Sequence, residues 1–305
     1  MLPDFLVGTG GWAYFNVPNK TSLKAYSEVF NFVEVNYTFY EFPDIRLVEA
    51  WRKMVPEDFT FSVRCHQNLT HKVGFRPVNE AYEIFYQTRS YCDVLRSQYL
   101  VLETPAKYVI ESENLHRAKD FFSSLNLDGI KLVWEYRAPM TPTVTNLMED
   151  FGIIHCVDLS KENPSYNSDV TYSRLFGKGQ QNIYQFADSE LVEIDQKAQA
   201  TRSKTVILSY HGVRMNSDAV RFKEYKRTGS FIPVTAFTGA DSAKAVLAED
   251  AKFPITKSEL IVEQGWKVID ASQDRRVHLS EVLIKIPDKT YSSLNEVMSE
   301  LRVVI

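Results

Sequence analysis

Hydrophobic and polar positions along this chain follow two periods in turn. Short runs in which every second residue is apolar or β-branched read as strands. Between them lie stretches whose apolar residues fall three or four apart, the spacing of a helix face. Strands are predicted at 5–10, 32–40, 59–66, 99–103, 130–136, 153–159, 170–175 and 205–210. Helices are predicted at 23–30, 46–54, 79–95, 115–125, 143–151, 191–201 and 218–226, with none visible between the sixth and seventh strands. Eight strands interleaved with helices call for parallel pairing and right-handed crossovers. Eight such units within about 230 residues fit a closed (β/α)8 TIM-like barrel better than an open doubly wound sheet, the alternative α/β fold. After Gly229 the alternation stops. Thr256 to Glu259 and Ser293 to Glu296 have the form of helix-opening capping boxes. Residues 1–235 are therefore expected to form the barrel, and 240–305 a small, mostly helical C-terminal module.

The polar positions inside the strands point to chemistry. In the 32–40 run, Val33, Val35 and Tyr37 share one side, and Glu34 and Asn36 the other. Arg64 and His66 repeat this at the end of the third strand, Glu103 at the fourth, Glu135 and Arg137 at the fifth, Asp158 at the sixth and Arg174 at the seventh, with His211 just past the eighth. In a parallel barrel such residues point into one mouth. Buried charges are costly unless paired, so the set either neutralises itself or binds something. Read functionally, Arg64, Arg137 and Arg174 grip an anion in fork geometry, with Asn36, Tyr40 and His71 as further substrate contacts. Glu34, Glu135, Asp158 and His66 are the candidate catalytic groups, by acid–base chemistry or as ligands. Glu34, Glu135 and Asp158 are the candidate metal set, and a divalent cation is the cofactor they suggest. No HExxH spacing supports it.

Other features read as structural. His155 has the opposite parity to Asp158 and faces the helix layer, and His116 and His278 are expected on helical surfaces. Gly8, Gly10 and Gly11 lack the third glycine of a dinucleotide fingerprint. Arg221, Lys223, Lys226 and Arg227 read as a solvated helix end favoured by the dipole, with phosphate-backbone contact as the alternative.

Composition narrows the class. With 44% hydrophobic and 24% charged residues the 305-residue chain is globular, and a net charge of -4 argues against a nucleic-acid coat, though not against a local basic pocket. Cys65, Cys92 and Cys156 share no CxxC spacing and fit a reducing cytoplasm. The N-terminal stretch lacks the pattern of a signal peptide, and no apolar run approaches the ~18 residues of a membrane span.

Several motifs in order carry a family resemblance. They are Gly8-Thr9-Gly10-Gly11-Trp12-Ala13-Tyr14, Val33-Glu34-Val35-Asn36 with Thr38-Phe39-Tyr40, Trp51 with Pro56, Phe59 to Arg64, Leu69-Thr70-His71, Glu135-Tyr136-Arg137, Asp158, and Tyr172 to Gly177 followed by Tyr184. Together they resemble the YecE-like family, domain of unknown function 72, from about residue 5 to 228. The resemblance implies a TIM-like barrel in the cytosol and supplies no reaction. Two departures, Glu103-Thr104-Pro105 for a glutamine–proline end of strand four and Ser209 to Gly212 for an Asn-rich stretch, add a carboxylate and a histidine at the mouth and tilt this member toward metal binding. The 253–291 segment resembles domain of unknown function 2795. The expected function is a barrel enzyme, a metal-assisted hydrolase or nuclease-like phosphoesterase on a phosphate-containing substrate. The alternatives are a non-catalytic module for an anionic ligand and a metal-independent sugar-phosphate isomerase or lyase. Expected partners are an anionic small molecule or nucleic acid, and no membrane.

Overall fold

The computed structural model describes residues 3–305; Met1 and Leu2, part of the stretch read for a signal peptide, lie outside the described residues. The chain divides into two compact units. One comprises the residues up to Leu175 together with Lys197–Tyr210, the other Phe176–Gln196 together with His211–Ile305. Among the described residues no helix is long and apolar enough to cross a membrane.

The first unit holds eight parallel strands: β1 (Asp4–Thr9), β2 (Phe32–Val35), β3 (Thr60–Arg64), β4 (Tyr99–Thr104), β5 (Lys131–Tyr136), β6 (Ile154–His155), β7 (Val170–Leu175) and β8 (Thr205–Tyr210). They pair in the order β6-β5-β4-β3-β2-β1-β8-β7. A parallel bridge between Val157 and Ser173 brings β6 back to β7 and closes the cylinder. Strand parity sets its layers. Phe32, Tyr99, Val101, Val133, Ile154, Cys156, Val170, Tyr172 and Ile207 fill the interior as one apolar cluster. Two residues further along their strands, on the same side, stand Glu34, Glu103, Glu135 and Arg174. The charged layer thus caps the apolar one at the carboxyl end of the barrel.

Three predicted strands are shorter than their patterns. The 32–40 run leaves the sheet after Val35, and Tyr37–Tyr40 is a helical turn with Asn36 already in the right-handed helical region. Here the Thr38 hydroxyl bonds to the carbonyls of Val35 (3.0 Å) and Arg64 (2.6 Å) and supplies the backbone with a partner other than a ladder. The 59–66 run ends at Arg64, ahead of a π-helix at Asn68–Val73. The 153–159 run keeps only Ile154–His155, because the Asp158 carboxylate accepts from the Ser160 backbone (3.0 Å) and hydroxyl (2.6 Å) and turns the chain.

Gly8 marks where β1 and β2 meet most closely. A Cβ there would stand 1.9 Å from the Phe32 carbonyl oxygen and 2.8 Å from the Tyr26 hydroxyl. Gly8→Ala is therefore expected to destabilise the chain by about 1–3 kcal/mol or more, read as a lower urea midpoint at unchanged slope.

In the second unit, β9 (Ile255–Thr256) pairs with β12 (Thr290–Tyr291), and β10 (Val268–Ser272) with β11 (Arg275–His278), both antiparallel. The helices Gly239–Leu247, Lys257–Gln264, Ser280–Leu283 and Leu294–Val304 surround a core that includes Leu247, Leu260, Ile269, Leu283, Tyr291 and Leu301. Thr256 and Glu259 form the predicted capping box, and Ser293 accepts from the Glu296 backbone. His278 lies on β11, not on a helix, and its Nε2 faces the Glu190 carboxylate at 2.9 Å.

Candidate functional site

Three carboxylates and three guanidinium groups meet at the carboxyl end of the barrel. Arg174 is at the centre: its Nε donates to Glu34 Oε1 (3.1 Å), and its Nη1 donates to Glu103 Oε2 (2.6 Å) and to Glu135 Oε2. Glu103 also accepts from Arg64 and pairs with Arg137 Nη1 at 3.0 Å. Arg137 Nε donates to Glu135 Oε1 at 2.6 Å. Ser62 donates to the Tyr172 hydroxyl (2.7 Å), which donates to Glu34 Oε2 (2.8 Å).

Burial grades this network from floor to rim. The side chains of Glu34 and Arg174 are 0% and 2% exposed, against 12% for Glu135 and 40% for Arg137. The floor is out of reach of a ligand, and the rim is open to one. Burial opposes the charge on Glu135, but the Arg174 and Arg137 guanidinium groups outweigh it and hold the carboxyl below its usual range. Burial likewise opposes the charge on Arg174, and Glu135, Glu34 and Glu103 raise it well above its ordinary value. Burial, then the charge of Glu34, keeps the Tyr172 hydroxyl protonated and a donor.

The remaining predicted residues stand around this core. Asn36 connects two strand ends, donating to the Gly10 carbonyl (2.8 Å) and accepting from Arg64 Nη1 (3.3 Å). The Arg64 guanidinium lies 3.6 Å over the Phe39 ring, and the His71 ring meets the same Phe39 edge-on at 5.3 Å. Tyr40 is largely exposed at this rim. His66 stacks on Phe42 at 4.2 Å; its Nδ1 accepts from the Asn68 backbone, so its Nε2 carries the proton and donates to the Tyr40 carbonyl (3.2 Å). Both nitrogens thus order the loop after β3. Asp158 orders the loop after β6 and pairs with Lys161 at 3.4 Å.

Residues 6–227 of this sequence match the family described as "Protein of unknown function DUF72". The chain belongs to the DUF72 family. It is similar to a DUF72 protein of Thermotoga maritima (TM-score 0.60, 19% identity, covering 73% of this chain and 99% of that one). It is also similar to one of Enterococcus faecalis (TM-score 0.58, 13% identity, covering 74% and 98%). The UPF0759 protein YunF of Bacillus subtilis is 36% identical over 86 residues, a match that takes in 26% of this chain and 30% of that relative.

For a DUF72 chain the expected metal set deserves a direct test. The Arg174 guanidinium stands between Glu34 and Glu135, and Asp158 engages its own loop. Among the described residues no three histidine, cysteine or acidic side chains are grouped to hold an ion. In this arrangement the carboxylates of the expected set are engaged by guanidinium groups and by loop backbone. Glu103, the carboxylate expected to tilt this DUF72 member toward metal binding, instead accepts from Arg64, Arg137 and Arg174. His211 belongs to the second unit, where it packs on Phe176 at 4.9 Å.

The helix end around Arg221 is not the solvated turn its charges suggest. Arg221 is buried against Asp218 (3.1 Å) and Asp188 (2.6 Å), Lys226 pairs with Asp195 (2.8 Å), and Arg227 with Glu224 (2.5 Å). His155, read as structural, is buried and accepts from the Ser165 backbone at 2.9 Å. Burial pushes its pKa down to about 4. Tyr172 was not among the candidate site residues; its shared parity with Arg174 was the signal that it faces the same interior.

Proposed function

We propose that this barrel performs metal-independent acid–base chemistry on a small phosphorylated substrate of the sugar-phosphate class, an isomerisation or elimination. One observation carries the reading: of the three interior guanidinium groups, Arg137 alone reaches solvent to a large extent, and it does so bonded to Glu135, the most exposed of the three carboxylates. An anion arriving at the rim meets Arg137 first, with an ionised carboxylate at its side. Arg174 beneath it, together with Arg137, keeps that carboxylate ionised and in place.

His71 supplies a second proton-transfer group. Burial lowers its pKa, so the ring is neutral at pH 7. Its Nδ1 is engaged by the Thr70 hydroxyl (2.9 Å), while Nε2 makes no hydrogen bond among the described residues. A neutral imidazole and an ionised carboxylate suit removal of a proton from one atom and delivery to another. Metal-assisted hydrolysis, the other expectation, asks the carboxylates to leave their guanidinium partners for an ion, and so ranks below this reading.

The test is a turnover screen with sugar phosphates, with and without a chelator. Arg137→Ala is expected to raise KM about 10–100-fold at near-normal melting temperature. Turnover that disappears with the chelator, or ligand binding with no turnover of any sugar phosphate, would overturn the reading.

A further inference from the structure

A second, strongly basic feature lies beside the mouth. The π-helix Asn68–Val73 after β3, the segment Pro105–Lys107 after β4, and the helix Ser112–Ser123 enclose a cleft of about 260 Å³. His71, Lys72, Arg76, Lys107 and Arg117 line it, and no carboxylate does. Lys72 and Lys107 are exposed and make no hydrogen bond or ion pair among the described residues. Arg76 uses only its Nε, donating to the Val73 carbonyl at 2.8 Å, and Arg117 pairs with Glu113 outside the lining at 2.5 Å.

The wall behind these cations is rigidly built. Gly74 ends the π-helix in the left-handed region (φ 69°), its N–H donating to the Leu69 carbonyl at 2.8 Å. The Tyr108 hydroxyl donates to the Gly74 carbonyl at 2.8 Å, with its ring 3.0 Å from where a Cβ would stand. Like charges gathered around a small concavity repel one another, and an anion relieves that repulsion.

We infer that this cleft is a phosphate subsite that takes the terminal phosphomonoester of a small molecule. The inference rests on the proposed substrate class and assigns its charged end to a place. The volume is below the range of about 300–1,000 Å³ typical of drug-sized ligands, and suits a phosphoryl group with a few carbons. It does not suit a strand, and the chain's net charge of -4 opposes a polyanion elsewhere on the surface. Barrel enzymes frequently hold phosphate with the loops after strands seven and eight; here the cations follow strands three and four. His71 belongs to the cleft and its ring meets Phe39, over which the Arg64 guanidinium of the mouth lies, so a molecule anchored here extends toward the acid–base groups.

The experiment is calorimetric titration of the full chain with inorganic phosphate, glycerol 3-phosphate and a short single-stranded oligonucleotide. Wild type and a Lys72→Ala/Lys107→Ala double variant are compared. The double variant is expected to fold normally and to bind both phosphates about a hundredfold more weakly. Unchanged phosphate affinity in the double variant overturns the subsite. So does an oligonucleotide that binds more tightly than either phosphate with a steep salt dependence. If phosphate binding depends on the lysines but no sugar phosphate is turned over, the subsite stands and the acid–base reading falls. If turnover occurs and the double variant leaves its KM unchanged, the subsite falls and that reading stands.

Discussion

Arg174→Leu is expected to destabilise the chain by about 3–5 kcal/mol or more, the largest effect of any single substitution at the barrel mouth. The side chain is 2% exposed and holds Glu34, Glu103 and Glu135 at once. Removing it takes a guanidinium group from all three carboxylates and leaves Arg64, itself buried, on Glu103 and Arg137 on Glu103 and Glu135. The pH dependence gives the cause away. In the parent, Glu135 has a lowered pKa in the folded state; it contributes stability that is present above the unfolded value near 4.5 and is lost as pH falls through the folded value. In the variant the buried carboxyls have lost a guanidinium, and burial favours their neutral form; that contribution is complete below the unfolded value and is lost as pH rises. The gap between the two proteins should therefore narrow on going from pH 7 to pH 5. Chemical denaturation at both values measures it, and a gap independent of pH would show that lost packing, not lost charge, is responsible.

Glu135→Gln carries the second large effect, on rate. The change keeps shape and volume and removes the ionised oxygen beside Arg137. If Glu135 transfers a proton, kcat should fall about 10²–10⁴-fold, with a stability loss of only about 1–3 kcal/mol. Glu34→Gln is the control. Glu34 is fully buried and bonded to the Tyr172 hydroxyl and to Arg174, so it is expected to act as a positioning residue. Its variant should lose stability and retain most of its rate, with the pH profile of kcat unmoved. Equal loss of kcat in the two variants would assign the effect to the network as a unit and remove Glu135 from its catalytic role.

Much of this site was legible because strand parity is a strict period. Knowing only that side chains alternate, Glu34, Glu135 and Arg174 can be placed inside one cylinder from far-apart segments, and the structure brings them within hydrogen-bond reach. The bounds of β7, β8 and the helix Asn79–Leu95 follow from pattern as well, since each run is long and periodic. Where the pattern misled, a local side-chain bond competed with the sheet. The Thr38 hydroxyl caps the end of β2, where Asn36 already takes the helical conformation, and the Asp158 carboxylate turns the chain out of β6. Pairing partners are long-range facts with no local period. That is why neither the three arginines that hold Glu103 nor the Asp188 and Asp218 that cover Arg221 can be read from the chain. The basic cleft was invisible for the same reason: its cations come from three segments that only the fold brings together.

The brevity of β6 has a consequence for the cylinder. Between β6 and β7 the described ladder is the bond from the Val157 N–H to the Tyr172 carbonyl (3.3 Å) and that from the Arg174 N–H to the Val157 carbonyl (3.0 Å), whereas β7 and β8 match residue for residue along six positions. The wall has a seam there, and Arg174 is sewn into it by its backbone while its side chain is tied to the opposite strands. The ionic lattice across the lumen thus does mechanical work that the missing ladder does not, and fastening the wall and shaping the reactive rim fall to one and the same residue.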